Sequence, residues 1–393
     1  MRIDFKSVIE KLSILSISLL VFLVLLEVAL RLFFPVTDWP LRQYEPGIGL
    51  HLAPNQSGTF VLGATGEGVG NFRTNAAGWN SLHEYQRSKP DGTLRIAVIG
   101  DSFVEALQVD VDKAFPGLVE ATMEASPSCA DYDTIEVYSY GASGAPLSQY
   151  LNVMRHVAEQ HDPDVFIITI FPGNDVEQSL RSEDPAISSF SYFLSFEQNS
   201  EGDFEEVGPY PWVPSRVRRF LVRFALVRYL YGNLKVESVA PFLRSLFQVK
   251  GAAGETPQER DGGADNDTLG TASFSVDPHV WDELVRYIFQ EYQQVAEQNN
   301  SQLLLIMDAN RRAIYDDNWA PSSPASIQYE QLISETAESQ DIDFIDLTSA
   351  FTADYQKHGE RFEFVVDYHW NERGHRIVAE VVSNRVISDI CSE

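Results

Sequence analysis

The sequence predicts an α/β protein in which one transmembrane helix precedes a flavodoxin-like, three-layer α/β/α domain with a five-stranded parallel sheet. Two observations support this prediction. From residue 94 onward, short aliphatic runs alternate with helical periodicity, which is the pattern of buried parallel strands joined by crossover helices. Before them, residues 12–34 are almost wholly apolar, and a helix of this length spans the hydrocarbon core of a bilayer.

The composition of the chain limits the classes of function that it can have. The 393 residues are 44% hydrophobic, which is enough for a large folded core. A formal net charge of -28 argues against a nucleic-acid partner, because phosphate recognition needs a basic surface. The two cysteines do not have the spacing that zinc sites use. We expect no metal and no cofactor. Cys129 and Cys391 could form one disulfide, for which the sequence gives little support.

Residues 1–37 are predicted to form a retained signal anchor that contacts the lipid bilayer. The alternative is a cleaved signal peptide, but the apolar run is long for one and no small-residue cleavage site follows it. Glu27 and Arg31 stand four residues apart near its end and can pair there. The basic residues before the span weakly favour a cytoplasmic amino terminus. We therefore expect a single-pass protein of the cell (inner) membrane, with its catalytic domain on the periplasmic or extracytoplasmic side.

Residues 38–93 are predicted to form an amino-terminal lobe of turns and short strands, and the main domain covers residues 94–390. Its first strand, at 94–100, ends at a glycine that is followed by an aspartate and Ser102. Because open α/β sheets carry their chemistry at the carboxyl ends of strands, Ser102 is a candidate nucleophile. The simpler interpretation is that the aspartate and the serine cap the next helix.

The second strand end carries the turn Gly-Ala-Ser-Gly. A helix at 115–123 and a strand at 134–138 are predicted before this turn, at 141–144. Ser143 is a rival nucleophile, because the turn nearly matches the nucleophile elbow of α/β-hydrolases. Alternatively, the turn offers a backbone N–H to a developing oxyanion, or is a plain strand-to-helix connection.

The third strand end carries an amide and an acid. A helix at 146–159 and a strand at 164–171 are predicted before Asn174 and Asp175. An asparagine there can donate its amide N–H to an oxyanion, and an aspartate can cap the following helix.

Four ordered blocks resemble the SGNH/GDSL hydrolase family. They are Gly-Asp-Ser-Phe at 100–103, Ser-Gly-Ala at 143–145, Gly-Asn-Asp at 173–175 and Asp-Tyr-His-Trp-Asn at 367–371. In this last block the acid stands two residues before the histidine instead of the family's usual three. It matches the Asp-x-His-Trp-Asn variant found in cell-surface polysaccharide acyl esterases and transferases. Pro172 also replaces a glycine that the family commonly has.

The resemblance implies a role for each matching residue. Ser102 would be the nucleophile, His369 the base, and Asp367 the acid that orients the base. The backbone N–H of Ser102, Gly144 and the side chain of Asn174 would form the oxyanion hole. These roles agree with general chemistry, since a serine hydroxyl becomes a good nucleophile only when an oriented imidazole takes its proton.

The predicted function is a serine ester hydrolase that acts through an acyl-enzyme on acyl, notably acetyl, esters of carbohydrate. One alternative is an O-acetyltransferase of cell-surface polysaccharide, and another is a non-catalytic polysaccharide-binding or scaffolding membrane protein. The order of the motifs argues against a metal-dependent phosphoesterase. Trp370, Tyr210 and Trp212 could offer aromatic faces to sugar rings or belong to the core. The oligomeric state stays open.

Residues 186–275 interrupt the α/β pattern and are predicted to form an insert. Within it, residues 251–273 have the composition of a disordered acidic linker. Residues 215–250 are basic in an otherwise acidic chain, and the spacing of Phe220 and Phe224 predicts an amphipathic helix. Such a helix either lies on anionic lipid or caps the active site.

The remaining elements complete the domain. Two more strands are predicted at 302–307 and 343–347, with helices at 278–298, 324–339 and 373–390. His375 opens the last helix, where packing or capping is the expected role.

Overall fold

The structure, a computed structural model, describes residues 5–181, 191–235, 278–316 and 324–391. Its strands, numbered in chain order, are β1 (Arg42–Glu45), β2 (Gly49–Leu52), β3 (Ser57–Leu62), β4 (Gly68–Arg73), β5 (Thr93–Gly100), β6 (Thr134–Gly141), β7 (Val165–Ile170), β8 (Ser195–Gln198), β9 (Phe204–Val207), β10 (Gln302–Met307) and β11 (Asp343–Asp346). Its helices are α1 (Phe5–Phe33), α2 (Ser102–Glu105), α3 (Phe115–Glu124), α4 (Leu147–His161), α5 (Arg216–Leu221), α6 (Ala225–Arg228), α7 (Pro278–Gln298), α8 (Arg311–Tyr315), α9 (Pro324–Ser339), α10 (Thr348–His358) and α11 (Glu372–Val386). Short 3₁₀ or π turns lie at Val111–Lys113, Pro127–Cys129, Glu177–Ser179, Tyr229–Asn233 and Ile387–Cys391.

A five-stranded parallel sheet lies at the centre, in the order β11-β10-β7-β5-β6. Every residue of β5 is buried, because helices cover both faces of the sheet. Alternate side chains of this strand serve opposite sides: Ile96 and Val98 pack in one layer, and Ala97 and Ile99 pack in the other. The predicted parallel sheet is confirmed.

Two layers of helices enclose the sheet. Helices α4, α7 and α9 contribute to the hydrophobic core on one face, whereas α3, α10 and α11 contribute to the core on the other face. The predicted three-layer α/β/α architecture is therefore confirmed. The sequence analysis missed α10, whose apolar residues are sparse, although Phe351 within it is fully buried.

Before the sheet come an apolar helix and two hairpins. Residues Ile9–Phe33 of α1 are long and apolar enough to cross a membrane, and their side chains are exposed over most of that length. The antiparallel pairs β1–β2 and β3–β4 form the region between α1 and the sheet. The proposed boundaries at residues 37, 93 and 390 stay predictions.

The two cysteines are joined. Cys129 and Cys391 form a disulfide across a sequence separation of 262 residues, against the expectation drawn from the sequence. The bond connects the turn Pro127–Cys129 to the last turn of the chain, Ile387–Cys391. Sequence alone could not identify this pair, because only the packing of α11 against α3 brings the two segments together.

The basic part of the insert is not one continuous helix. It is divided into α5 and α6, with a break at residues 222–224, so the predicted single amphipathic helix is wrong. Within the insert the structure describes residues 191–235, and these include the hairpin β8–β9. The predicted linker at 251–273 lies outside the described residues.

Candidate active site

Three candidate residues lie after the carboxyl ends of three adjacent strands. Ser102 follows β5, Gly144 follows β6 and Asn174 follows β7, and β5 pairs with both of the other two strands. Because β5 lies between its neighbours, the turns after β6 and β7 flank the turn that contains Ser102. The topology therefore brings the predicted nucleophile and the two predicted oxyanion donors to one edge of the sheet.

Two glycines allow α2 to fold closely against the strand ends. A Cβ atom on Gly100 would lie only 2.5 Å from the side chain of Val104, and one on Gly141 would overlap the backbone of Glu105. Any larger residue at either position would push α2 outward. Since Ser102 is the first residue of α2, these close approaches fix its position.

Ser102, His369 and Asp367 form a continuous hydrogen-bonded chain. Nε2 of His369 lies 2.7 Å from Oγ of Ser102, and its Nδ1 lies 3.1 Å from a carboxylate oxygen of Asp367. The other carboxylate oxygen accepts the backbone N–H of His369 at 3.2 Å. All three residues are buried. In this arrangement the carboxylate can hold a proton on Nδ1 while Nε2 accepts the serine proton.

The electrostatic surroundings keep Asp367 ionised. Burial raises the pKa of this carboxyl, but the charge of His369 and its hydrogen bond outweigh burial, and the charge of Lys235 adds to them. The pKa of Asp367 therefore lies below its ordinary value of 3.8. The effect of Lys235 is one that the sequence analysis missed, because this residue belongs to the insert and to no motif.

The residue between the acid and the base is held in an unfavourable backbone conformation. Tyr368 has a φ of 62°, in the left-handed region that residues other than glycine rarely adopt. Arg311 donates a hydrogen bond of 2.6 Å to the carbonyl oxygen of Tyr368, and the guanidinium of Arg312 lies 5.0 Å from the centre of its ring. These contacts fix the loop on which Asp367 and His369 stand.

A buried ion pair, also missed from sequence, supports this loop. Asp308 accepts hydrogen bonds of 2.9 Å from Arg311 and from the indole N–H of Trp370. Burial raises the pKa of Asp308, although the charge of Arg311 and the bond from Trp370 act against it. Trp370 is fully buried, so the suggestion that it offers a face to sugar rings is wrong. Tyr210 is exposed, and Trp212 packs partly against the core.

Residues 282–390 match the family model described as an SGNH hydrolase-like domain, acetyltransferase AlgX. The chain carries an SGNH hydrolase-like domain. The matched segment contains His369 and Asp367, and Ser102, Gly144 and Asn174 precede it. The predicted family resemblance is confirmed by this match, as is the predicted enzyme class, an SGNH-type esterase or a related acetyltransferase. No curated protein matches the chain.

Several solved structures are similar to the chain. An acetyl xylan esterase, AlAXEase, is 14% identical with a TM-score of 0.40, and the alignment covers 75% of this chain and 100% of that one. A catalytic mutant of Axe2, an acetylxylan esterase from Geobacillus stearothermophilus, is 13% identical with a TM-score of 0.39, covering 78% and 99%. A lipase/acylhydrolase from Enterococcus faecalis is 11% identical with a TM-score of 0.37, covering 75% and 96%. The assignment of the SGNH domain rests on the family match and on the sheet of this chain.

On the β6 side of the SGNH site, a buried carboxylate holds the turn that contains Gly144. Gly144 has a φ of 75°, which favours glycine at this position. The hydroxyl of Ser143 donates to Glu105, whose two oxygens each also accept an N–H of Arg42 at 2.9 Å. Ser143 is therefore paired with a carboxylate, whereas Ser102 is paired with an imidazole.

On the β7 side of the SGNH site, the amide and the acid have different partners. The amide of Asn174 donates to Gln178 at 3.1 Å. Asp175 is buried and accepts the backbone N–H of Phe171 at 2.7 Å and the hydroxyl of Tyr150 at 2.8 Å. Burial raises its pKa well above the ordinary value. Asp175 thus closes the end of β7 from within the core, and the predicted capping role is wrong.

A second carboxyl group adjoins the candidate nucleophile. One oxygen of Asp101 lies 3.3 Å from Oγ of Ser102, and the other accepts the N–H of Phe103, which caps α2. Burial raises the pKa of Asp101 to about 6, against the hydrogen bond from Phe103 and the charge of His369. The contact between Ser102 and His369 is shorter by 0.6 Å, the difference of 3.3 and 2.7 Å, so the geometry favours the imidazole as proton acceptor.

Within the described part of the chain, no group of three or more His, Cys, Asp or Glu side chains could hold a metal ion. That neither a metal nor a cofactor takes part stays a prediction. The chemistry available at the SGNH site is that of a hydroxyl, an imidazole and carboxyl groups.

Proposed function

We propose that this protein is a membrane-anchored serine esterase that cleaves acyl esters of carbohydrate through Ser102, His369 and Asp367. One observation carries the proposal, namely the hydrogen-bonded chain that runs from the carboxylate of Asp367 through His369 to the hydroxyl of Ser102. The SGNH family match supports the reaction class independently, since it comes from sequence and not from side-chain geometry.

In the first half-reaction, Oγ of Ser102 attacks the carbonyl carbon of the ester, and Nε2 of His369 takes the hydroxyl proton. The carboxylate of Asp367 stabilises the imidazolium that forms. The imidazolium then gives its proton to the leaving alcohol oxygen, and the acyl group remains on Ser102. Water activated by His369 attacks the acyl-serine in the second half-reaction and releases the acid.

Three donors are proposed for the oxyanion that develops in each half-reaction. They are the backbone N–H groups of Ser102 and Gly144 and the side-chain amide of Asn174, which would turn toward the substrate from its bond with Gln178. The bond between Ser143 and Glu105 supports this assignment, because it restrains the turn that precedes the N–H of Gly144.

Acetyl transfer is the second candidate function, and the match to a family described by an acetyltransferase favours it. The two reactions share their first half. They differ in whether water or a sugar hydroxyl is deprotonated by His369 and attacks the acyl-serine.

We further propose that α1 is a retained anchor and that the SGNH domain lies outside the cytoplasm. The length and apolarity of α1 support an anchor. The disulfide between Cys129 and Cys391 supports an extracytoplasmic domain, because such bonds persist mainly in oxidising compartments.

Labelling with a fluorophosphonate probe tests the catalytic proposal. The wild-type protein should react at Ser102, and Ser102→Ala should abolish the label, whereas Ser143→Ala should still be labelled, more slowly. Loss of labelling in Ser143→Ala with retention in Ser102→Ala would move the nucleophile to Ser143. A folded wild-type protein that never reacts would favour the non-catalytic, polysaccharide-binding alternative.

A further inference from the structure

The segment formed by α5 and α6, residues 216–228, is attached to the last turns of α1. We call it the arginine segment. The carboxylate of Glu27 accepts the backbone N–H groups of Ala225 at 2.8 Å and Leu226 at 2.9 Å, and so caps α6. Arg31 donates a bond of 2.8 Å to the carbonyl oxygen of Arg223. Two residues of the apolar helix therefore hold the arginine segment at a defined level along the helix axis.

A second set of contacts fixes the chain on the other side of the helix end. Arg228 pairs with Asp38 and donates to the carbonyl oxygen of Thr37 at 3.0 Å. The side chain of Asn233 accepts the N–H of Thr37 at 3.0 Å and donates to the carbonyl oxygen of Pro35 at 2.9 Å. The arginine segment is thus bonded to residues that precede Phe33 and to residues that follow it. It cannot move away from the end of α1 without breaking these bonds.

The level of attachment is that of a membrane–water boundary. Glu27 lies six residues before Phe33, which is about 9 Å along a helix axis. The apolar span Ile9–Phe33 has 25 residues and would measure roughly 37 Å, whereas the hydrocarbon core is about 30 Å thick. With the surplus of roughly 7 Å placed at the Phe33 end, the last turns of α1 extend into the headgroup region, and the backbone of Ala225 and Leu226 lies near its inner limit.

The exposed side chains of the arginine segment suit that boundary. Val217 and Phe220 are more than half exposed, and Phe224 is 39% exposed. Arg216, Arg219 and Arg223 are exposed as well, and among the described residues no carboxylate pairs with any of these three. Exposed aromatic and aliphatic groups interleaved with arginines are typical of segments that lie on anionic lipid.

We propose that the arginine segment lies on the bilayer, with Phe220 and Phe224 at the acyl boundary and Arg216, Arg219 and Arg223 on anionic phospholipid headgroups. The proposal rests on the proposed anchoring of α1 and not on the proposed catalytic activity. The whole chain has a net charge of -28, whereas the arginine segment is basic. An anionic lipid surface therefore attracts this segment and repels the rest of the protein.

The alternative derived from the sequence, that this region caps the active site, does not describe these residues. Residues 216–228 pack on α1 and beside the amino-terminal hairpins, through Glu27, Arg31 and Asp38. Lys235 follows them in the described part of the insert, and its charge contributes at Asp367. The bilayer contact and the approach to the site are thus made by successive parts of one chain segment.

Lipid-depth quenching in nanodiscs tests the proposal with the full-length chain. A thiol-reactive NBD dye is attached to Phe220→Cys, with Leu20→Cys in the middle of α1 as a reference for insertion and Glu201→Cys in the exposed β8–β9 turn as a reference for solvent. The native cysteines are bonded to each other and do not compete for the dye. We expect nitroxide lipids labelled near the headgroup to remove most of the emission at 220 and none at 201, and nitroxide lipids labelled deep in the acyl chain to quench the dye at 20.

Each outcome decides the proposal. Quenching at 20 without quenching at 220 would overturn it, because α1 would be inserted while the arginine segment stayed in water. Absence of quenching at 20 would overturn the anchor and the proposal together, and it would leave the catalytic proposal untouched. Quenching at both 20 and 220, with none at 201, is the supporting result.

A charge-removal variant tests the lipid class. The variant Arg216→Gln, Arg219→Gln and Arg223→Gln is combined with dye-labelled Phe220→Cys, and quenching is compared in phosphatidylcholine alone and with added phosphatidylglycerol. We expect the anionic lipid to increase quenching in the parent and to have little effect in the triple variant. An equal increase in both would overturn the assignment of these arginines to anionic headgroups.

Discussion

At the scale of single residues, the orientation of His369 depends on one acceptor. Asp367 accepts from both Nδ1 and the backbone N–H of His369, and replacing it by asparagine keeps the shape but offers an N–H where Nδ1 needs an acceptor. The ring would then adopt the wrong tautomer. We expect Asp367→Asn to lower kcat on an acetyl ester by on the order of 10⁴-fold, as when a serine protease loses this acceptor.

A matched control for this prediction is Asp346→Asn. Asp346 accepts the N–H of Thr348, the first residue of α10, at 2.8 Å, and the side-chain oxygen of an asparagine can accept the same N–H. Its kcat should equal that of the wild type. If Asp367→Asn also retained full activity, the orienting acid would have to be another carboxylate.

The stability of the fold in acid depends on His375, which is buried behind the site. Its Nδ1 accepts the backbone N–H of Phe115, and burial, helped by the charge of His369, lowers its pKa from 6.5 to about 3. The unfolded chain takes up a proton below pH 6.5 and the folded protein does not, so stability falls as the pH drops from 6.5 toward 3. The loss is on the order of a few kcal/mol, and none of it occurs above pH 6.5.

Thermal unfolding of the full chain in detergent, between about pH 7 and about pH 4, measures this effect. We expect His375→Gln to flatten the dependence of Tm on pH, because glutamine can accept the same N–H without titrating. His358→Gln at the exposed end of α10 should retain the slope of the wild type. Asp101 contributes in the opposite sense in all three proteins, since its raised pKa of about 6 makes stability fall as pH rises from 3.8 to 6.

The residues that carry these predictions differ in how visible they were in the sequence. Ser102 and His369 could be identified because each lies in an ordered motif. Asp308 follows a strand end as Ser102 does, but its role depends on the hydrogen bond from Trp370, 62 residues away. No local sequence pattern indicates that contact. The full burial of Trp370 was hidden for the same reason.

At the scale of elements, the first turn of α8 supports the loop that carries Asp367 and His369. Arg311 both neutralises buried Asp308 and binds the carbonyl oxygen of Tyr368. Arg311→Met keeps most of the side-chain volume and removes the donors. We expect the free energy of unfolding to fall by about 3–5 kcal/mol, because a buried carboxylate loses its partner, and kcat to fall as well.

Two further variants separate stability from positioning. In the double variant Asp308→Asn with Arg311→Met the buried charge is absent, so stability should largely recover, whereas kcat should stay low because Tyr368 still lacks its donor. Arg312→Met removes the contact between a guanidinium and the ring of Tyr368, and the loss of that contact should cost about 0.5–1 kcal/mol. Full recovery of kcat in the double variant would show that Arg311 acts on stability alone.

The arginine segment shows why a helix predicted from the spacing of its apolar residues can be absent from the structure. The spacing of its aromatic residues suits one helix, but Glu27 accepts the N–H groups of Ala225 and Leu226, which an unbroken helix would have used internally. A tertiary cap therefore starts a new helix at residue 225. The strands of the sheet were predicted better, because strands that are buried on both faces consist of continuous runs of apolar residues.

At the scale of the whole molecule, the disulfide links the turn after α3 to the last turn of the described chain. A bond between residues 262 apart restricts the unfolded chain strongly, so Cys129→Ser with Cys391→Ser should lower the free energy of unfolding by about 2–4 kcal/mol. If the domain is extracytoplasmic, the bond should form in cells. Trapping free thiols in intact cells should therefore leave the wild-type protein unmodified until it is reduced, and modification without reduction would contradict the proposed location.

The reaction depends on which group, water or a sugar hydroxyl, accepts the acyl group from Ser102. Transfer needs a surface that holds a sugar hydroxyl near His369 in competition with water at about 55 M, whereas hydrolysis needs none. Since Trp370 is buried and Tyr210 of the insert is exposed, Tyr210 and not the residue after His369 is the candidate for such a surface.

We expect the full-length protein in detergent, given an acetyl-ester donor and oligosaccharides, to release free acetate faster than it forms acetylated sugar. Tyr210→Ala should leave acetate release unchanged, and it should reduce sugar acetylation if any occurs, which separates an acceptor surface from the triad. Acetylated sugar accumulating faster than acetate, with both products lost in Ser102→Ala, would replace the esterase by an acetyltransferase that uses the same serine.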